Sequence, residues 1–63
     1  MTFQDFKQFV TALFSAEDDN LHNYMTEVEA DNFLLGSWVD GVHPVDAWSE
    51  FIERPDIQSQ RAR

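Results

Sequence analysis

The sequence predicts an all-α protein, a small compact bundle of three or four short helices. Apolar residues recur at three- and four-residue intervals in several segments, which is the period of an α-helix. No segment shows the strict alternation of apolar and polar residues that strands require, and no turn dipeptide such as Asn-Gly joins two apolar runs. With 63 residues and no cysteine, the chain can form one domain, whose modest core depends on packing or on self-association.

The first predicted helix spans about Phe3 to Phe14. Its apolar side chains fall on one arc at 100° per residue, and they are Phe3, Phe6, Phe9, Val10, Leu13 and Phe14. Thr2 stands where an N-cap belongs, and Asp5 favours the positive end of the helix dipole. The pattern breaks after Phe14, so the helix is expected to end there.

The second helical segment begins at one of the three capping residues Asp18 to Asn20. Apolar residues follow at helical spacing, and we favour one helix from about 20 to 39. The alternative is a break near residues 25–27, because Thr26 and Glu29 have the spacing of a capping box that starts a fresh helix.

Glycine and proline mark the remaining boundaries. Gly36, inside the second helix, predicts the close approach of a neighbouring segment, whereas Gly41 ends that helix. Pro44 suits the first turn of the last helix, about Val45 to Glu53, because its missing N–H is not needed there. Pro55 then ends the last helix.

Residues 55–63 lack apolar periodicity. We therefore predict a helical domain over residues 1–54 and a flexible, Arg-containing C-terminal tail over residues 55–63.

The charge of the chain is strongly uneven. Residues 1–53 carry eleven acidic side chains and a single base, Lys7, for a net charge of −10, whereas residues 54–63 carry +2, which makes −8 in total. Such a field repels nucleic acid and anionic lipid, so we expect neither direct nucleic-acid binding nor membrane binding. It attracts proteins that present basic grooves. No apolar run approaches the roughly 20 residues of a membrane span and no secretory signal is recognisable, so we expect a cytoplasmic protein.

The groups that most enzymes need are missing, so we expect no catalytic activity and no cofactor. There is no cysteine nucleophile, no serine stands in a nucleophile elbow, and neither glycine is followed by the Lys and Ser or Thr of a phosphate loop. Asp18, Asn20 and Glu29 match three positions of a calcium loop, but Asn23 stands where its sharp turn requires glycine. We therefore expect no metal site.

Rows of carboxylates are the remaining candidates for function. Side chains three or four residues apart on a helix stand about 5–6 Å apart at Cβ, so such rows can imitate a nucleic-acid backbone. A decoy of this kind would occupy the basic channel of a nucleic-acid-binding protein or complex, helped by electrostatic steering. The predicted partner-binding carboxylates are Glu17, Asp18, Asp19, Glu27, Asp31, Asp46, Glu50 and Glu53. The near absence of lysine favours this hypothesis over an acidic face that only confers solubility.

One aromatic residue falls among polar neighbours on the helical wheel. This residue is Phe33, which is a candidate for an exposed partner-binding anchor, and Tyr24 could serve likewise. The alternative is that both side chains lie in the core, because a small fold can leave little apolar surface exposed. The alternative function is therefore a structural adaptor or small regulator that binds a partner, or itself as a homodimer, through an apolar patch.

In size and acidic composition the chain resembles the small inhibitors that phages and mobile elements use against host restriction and CRISPR enzymes. Several of those inhibitors are similar to DNA in their surface charge. The resemblance rests on composition and implies the decoy function, of the anti-restriction or anti-CRISPR type. It transfers no functional residue.

Overall fold

The computed structural model describes residues 1–62 and contains four α-helices in this range. They are α1 (Phe3–Ser15), α2 (Glu27–Val39), α3 (Pro44–Ile52) and α4 (Pro55–Arg61), with a single 3₁₀ turn over Leu21–Asn23 between α1 and α2. No strand occurs in residues 1–62, so the predicted all-α class is confirmed. The Cα radius of gyration is 11.1 Å, close to the about 10.6 Å of a compact chain of this length.

The first helix begins as predicted. The Thr2 hydroxyl oxygen accepts a hydrogen bond from the backbone N–H of Asp5 at 3.1 Å and so satisfies one of the free donors of the first turn. At the other end, the Asp19 N–H donates to the Phe14 carbonyl at 2.9 Å and the Asp18 N–H donates to the Ser15 carbonyl at 3.0 Å. This is a Schellman ending, and Asp18 takes its left-handed position with φ of 55°.

The favoured continuous helix from about 20 to 39 is wrong, because the chain breaks before Glu27. The Asn20 side chain caps the 3₁₀ turn by accepting from the His22 N–H. Thr26 then caps α2 by accepting from the Glu29 N–H at 3.2 Å, and its hydroxyl donates to the Glu29 carboxylate at 2.9 Å. These local caps satisfy helix-terminal N–H groups that a continuous helix would have bonded to its own backbone.

The turn between α2 and α3 follows the prediction. Gly41 has φ of 77° in a second Schellman ending, and Pro44 is the first residue of α3. His43 adds a cap, because its Nδ1 accepts from the Val45 N–H at 3.2 Å. The expectation for Gly36 is wrong: a Cβ placed there would meet nothing within 4 Å among the described residues.

The expected tail is instead helical over most of its length. Pro55 begins α4 rather than only ending α3, and Ile57 is 2% exposed in the core. One buried isoleucine in seven residues gives no periodic pattern, which is why the segment was interpreted as a tail.

The core lies mainly between α1 and α3, which pack together more extensively than any other pair of helices. The ring of Phe51 is fully buried at its centre, with the rings of Phe14, Tyr24 and Phe33 at centroid distances of 5.7, 5.8 and 5.4 Å. The buried residues of the hydrophobic core cluster are Phe6, Val10, Phe14, Leu21, Ala30, Leu34, Ala47, Phe51 and Ile57. Trp38 is 36% exposed and lies near the N-terminus, where its indole N–H donates to the Met1 carbonyl at 3.0 Å.

Candidate partner-binding surface

The first predicted acidic cluster lies in the turn after α1, and the structure pairs it with a base. The Arg61 guanidinium forms an ion pair with the Glu17 carboxylate and lies 3.7 Å from a carboxylate oxygen of Asp19. Asp18 is exposed and has no cationic partner within residues 1–62. Two of the three carboxylates that were predicted to bind a partner are therefore partly neutralised by the chain itself.

Asp19 is the most engaged of these carboxylates. It accepts hydrogen bonds from the Tyr24 hydroxyl at 2.5 Å, the Asn20 N–H at 2.9 Å and the Asn23 amide at 3.2 Å. Partial desolvation acts to raise the pKa of Asp19, but the three hydrogen bonds and the charge of Arg61 outweigh it, so this pKa is lowered. Burial of the phenol and its hydrogen bond to Asp19 raise the pKa of Tyr24. This network joins the turn after α1 to the 3₁₀ turn.

A polar cavity of about 410 Å³ opens at this network. Its walls are formed by Glu17, Asp18, Asp19, Asn23, Tyr24, Gln60 and Arg61. Because five of these seven residues belong to the ion-pair and hydrogen-bond network, the cavity is a crevice between α4 and the turn after α1. The same contacts explain both its shape and its polarity.

The second predicted acidic group consists of Glu27 and Asp31 in α2, and again only part of it is ion-paired. Asp31 forms an ion pair with Lys7 of α1 at 3.0 Å, and the Lys7 ammonium also lies 5.4 Å from the centroid of the Phe3 ring. Glu27 is exposed and has no cationic partner in the described part of the chain. Of these two carboxylates, Glu27 alone is unpaired in the described chain.

The row on α3 is the predicted group that the structure leaves free. Asp46, Glu50 and Glu53 are all exposed, and none of them is ion-paired within residues 1–62. Steps of four and three residues place successive Cβ atoms about 5–6 Å apart along one side of the helix. Glu53 is the C-cap residue, and its carboxylate accepts from the Ser49 hydroxyl at 3.5 Å. We call these three residues the α3 row.

Phe33 is not the exposed side chain of the first interpretation and instead packs against the core. Its ring is half-buried and packs on Phe51, because α2 turns this side towards α3. Tyr24 is also half-buried, with its hydroxyl committed to Asp19. Both aromatic side chains therefore pack against other residues of the chain over part of their surface.

Sequence reasoning missed the apolar side chains that the structure does expose. Val28 and Val39 on α2 are 70% and 68% exposed, and Leu35 between them is 43% exposed. The signal was available, because all three lie opposite the buried Ala30 on a 100° wheel. Apolar residues cover much of the circumference of α2, so their spacing alone does not show which side faces the core.

None of the helices in residues 1–62 combines the length and apolar character that crossing a bilayer requires. In the same range no three His, Cys, Asp or Glu side chains are grouped closely enough to hold a metal ion. The chain is thus a small helical protein whose surface is dominated by carboxylates. Comparison with protein-family models, curated proteins and solved structures gives no match.

Proposed function

We propose that this protein is a small, non-enzymatic acidic inhibitor that acts in the cytoplasm by occupying the basic channel of a nucleic-acid-binding protein or defence complex. Its carboxylates take the place of phosphates, and no chemistry is performed. In this proposal the protein is of the anti-restriction or anti-CRISPR type, as expected for a phage-encoded inhibitor acting in a bacterial host.

The observation that carries this proposal is that the α3 row is the one predicted group whose members are all unpaired in the described chain, whereas three of the other five predicted carboxylates are ion-paired. Lys7 and Arg61 engage Asp31, Glu17 and Asp19, while the three charges of the α3 row remain exposed and unpaired in the described chain. A regular row of unpaired charge is what a basic channel recognises in a phosphate backbone. We therefore assign the primary contact to the α3 row and a supporting role to Asp18 and Glu27.

The net charge supports the same function through kinetics. A protein of −8 is attracted over a Debye length to a basic channel, which raises the rate of encounter at moderate salt. Displacing the counterions on both surfaces adds a salt-dependent free energy of binding, as it does for DNA itself. Binding by this mechanism weakens steeply as salt is raised.

The test is a pull-down from bacterial lysate with three forms of the protein. The first is wild type, and the second neutralises the α3 row with Asp46→Asn, Glu50→Gln and Glu53→Gln. The third is a matched control that removes three charges elsewhere. It carries Asp5→Asn, Glu29→Gln and Asp40→Asn, and glutamine is also accepted in the capping box of α2.

Wild type and the control are expected to retain a nucleic-acid-binding protein that elutes at moderate salt and is competed off by DNA or RNA. The α3-row variant is expected to bind at least about tenfold more weakly, because several charge-assisted contacts are lost together. Equal retention of the same protein by all three forms at every salt concentration would overturn the proposal.

A second candidate function, a structural adaptor or small regulator, is favoured by a different observation. The exposed Val28, Leu35 and Val39 give α2 an apolar side that the described part of the chain leaves uncovered. An adaptor would bind through this side and would be insensitive to neutralisation of the α3 row. The same pull-down separates the two functions.

A further inference from the structure

The exposed side of α2 has a regular pattern. Val28, Asn32, Leu35 and Val39 are all exposed and follow one another at steps of four, three and four residues. At 100° per residue they fall within an arc of about 60°. We call these four residues the α2 ridge.

The α2 ridge lies on the opposite side of the helix from the core. Ala30 and Leu34, which are 2% and 4% exposed, anchor α2 to the rest of the bundle. A surface helix ordinarily carries one apolar stripe and a polar outer side. In α2 the outer side is itself apolar at three of its four ridge positions, and no residue of the described chain covers it.

Gly36 borders the ridge and points to the same surface. A glycine inside a helix is unfavourable relative to alanine, because it loses more backbone freedom on folding. Space inside the described chain does not require it, since a Cβ at this position would meet nothing within 4 Å. A glycine beside an apolar ridge allows the backbone of a docked helix to approach closely.

Charge decides which helix fits. Exposed Glu29 and Asp40 lie along one side of the ridge. Half-buried Asp31 borders the other side, with Trp38 and exposed Glu27 beyond it. Lys7 beside this surface is already paired with Asp31 at 3.0 Å. A second copy of this chain would bring acidic borders against acidic borders on two molecules of −8 each, so self-association through the ridge is disfavoured.

We propose that the α2 ridge is a docking surface for one helix of a partner protein, a helix whose apolar stripe is flanked by Lys or Arg. The four-three-four spacing is that of the inner positions of a heptad repeat, in which a single asparagine such as Asn32 sets the register. The basic flanks pair with the acidic borders of the ridge. This proposal is independent of the α3 row and holds whether or not that row imitates phosphates.

A synthetic peptide tests this surface directly. The probe is a helix of about three heptads with Leu at the inner positions and Lys at the flanking positions. Two control peptides keep its length: one has the same composition in scrambled order, and the other carries Glu instead of Lys at the flanks. Binding to the full chain is followed by ¹⁵N chemical-shift perturbation and titration at about 150 mM salt, where general attraction between distant charges is screened.

Three variants of the protein complete the design. The ridge variant carries Leu35→Ser and Val39→Ser, both at exposed positions, so we expect the variant to fold. The matched control carries Val45→Ser on α3, where the valine is 39% exposed and lies outside the ridge. The third is the neutralised α3-row variant. Circular dichroism verifies that each variant is folded.

The Lys-flanked peptide is expected to shift the amide signals of the ridge residues, and the ridge variant is expected to bind it about tenfold more weakly. The Val45→Ser and α3-row variants are expected to stay within about threefold of wild type. Equal binding of the scrambled or Glu-flanked peptide, or shifts confined to α3, would overturn the proposal. So would sedimentation showing a wild-type dimer that the ridge variant abolishes, because the occupant would then be a second copy. If the ridge does not bind the peptide while the α3 row still binds a basic partner, the docking proposal is overturned and the proposed function is retained.

Discussion

The guanidinium of Arg61 forms an ion pair with the carboxylate of Glu17, which joins the C-terminal helix to the end of the first helix. The two residues are 44 positions apart in the chain. This contact has two effects. It fixes α4 beside the turn after α1, and it lowers the exposed negative charge of an acidic cluster that would otherwise be free to meet a basic partner.

The Arg61–Glu17 pair is expected to contribute about 0.5–1 kcal/mol to the free energy of unfolding, because both side chains are partly exposed. A double-mutant cycle with Glu17→Gln and Arg61→Gln measures this coupling by urea denaturation. The exposed Arg54–Asp56 pair is the comparison, with an expected coupling near zero. A coupling of the first pair that does not decrease in high salt would contradict an electrostatic origin.

Ile57 is expected to hold α4 in the core. Replacing it with valine removes one buried methyl(ene) group and is expected to lower the free energy of unfolding by about 0.5–1.5 kcal/mol. Gln58→Ala on the exposed side of the same helix is the control and is expected to be nearly neutral. If thermal denaturation finds Ile57→Val as silent as Gln58→Ala, residues 55–61 do not contribute to the folded unit.

The change in stability caused by Thr26→Ala has opposite signs at a helix start and in a helix interior. As an N-cap, Thr26 is expected to lose about 1 kcal/mol of stability on replacement by alanine, because the Glu29 N–H loses its acceptor. In a continuous helix the same change would be stabilising, since alanine is the better helix former. Thr11→Ala, at an exposed position inside α1, supplies that stabilising reference. Equilibrium denaturation of the two variants gives the comparison.

The hydrogen bond from Tyr24 to Asp19 predicts how stability depends on pH. The pKa of Asp19 is lowered from 3.8, so its contribution is present above pH 3.8 and is lost as the pH falls through the lower folded-state pKa. The pKa of Tyr24 is raised from 10.0, so its contribution is present below pH 10.0 and is lost as the pH rises through the higher folded-state pKa. The bond therefore stabilises the fold across the whole interval between.

Tyr24→Phe is expected to cost about 1 kcal/mol near neutral pH, a value reduced from that of a fully buried charged hydrogen bond because Asp19 is partly exposed. The difference between wild type and variant should shrink at both ends of the pH range. Urea denaturation as a function of pH measures it. A difference that stays constant down to pH 2 would show that the carboxylate of Asp19 takes no part.

The helix ends were predictable wherever the deciding contacts are local. Thr2, Gly41 and Pro44 act on groups within a few residues, so their roles follow from residue type and spacing. The break before α2 was harder to predict, because apolar residues at helical spacing continue through it and favour a continuous helix. The capping interactions of Thr26 with Glu29 decided it.

By itself the sequence determined the all-α class, three of the four helices in outline and the strongly acidic surface, because periodicity, capping and net charge depend only on the order of residues. The tertiary structure alone decided which carboxylates remain free. Arg61 reaches Glu17 and Asp19 only because Ile57 is buried and turns α4 back towards α1, and Lys7 reaches Asp31 only where α1 packs on α2. Packing likewise turned Phe33 inward and left Val39 exposed, since a helix that is apolar on two sides can present only one of them to a core this small.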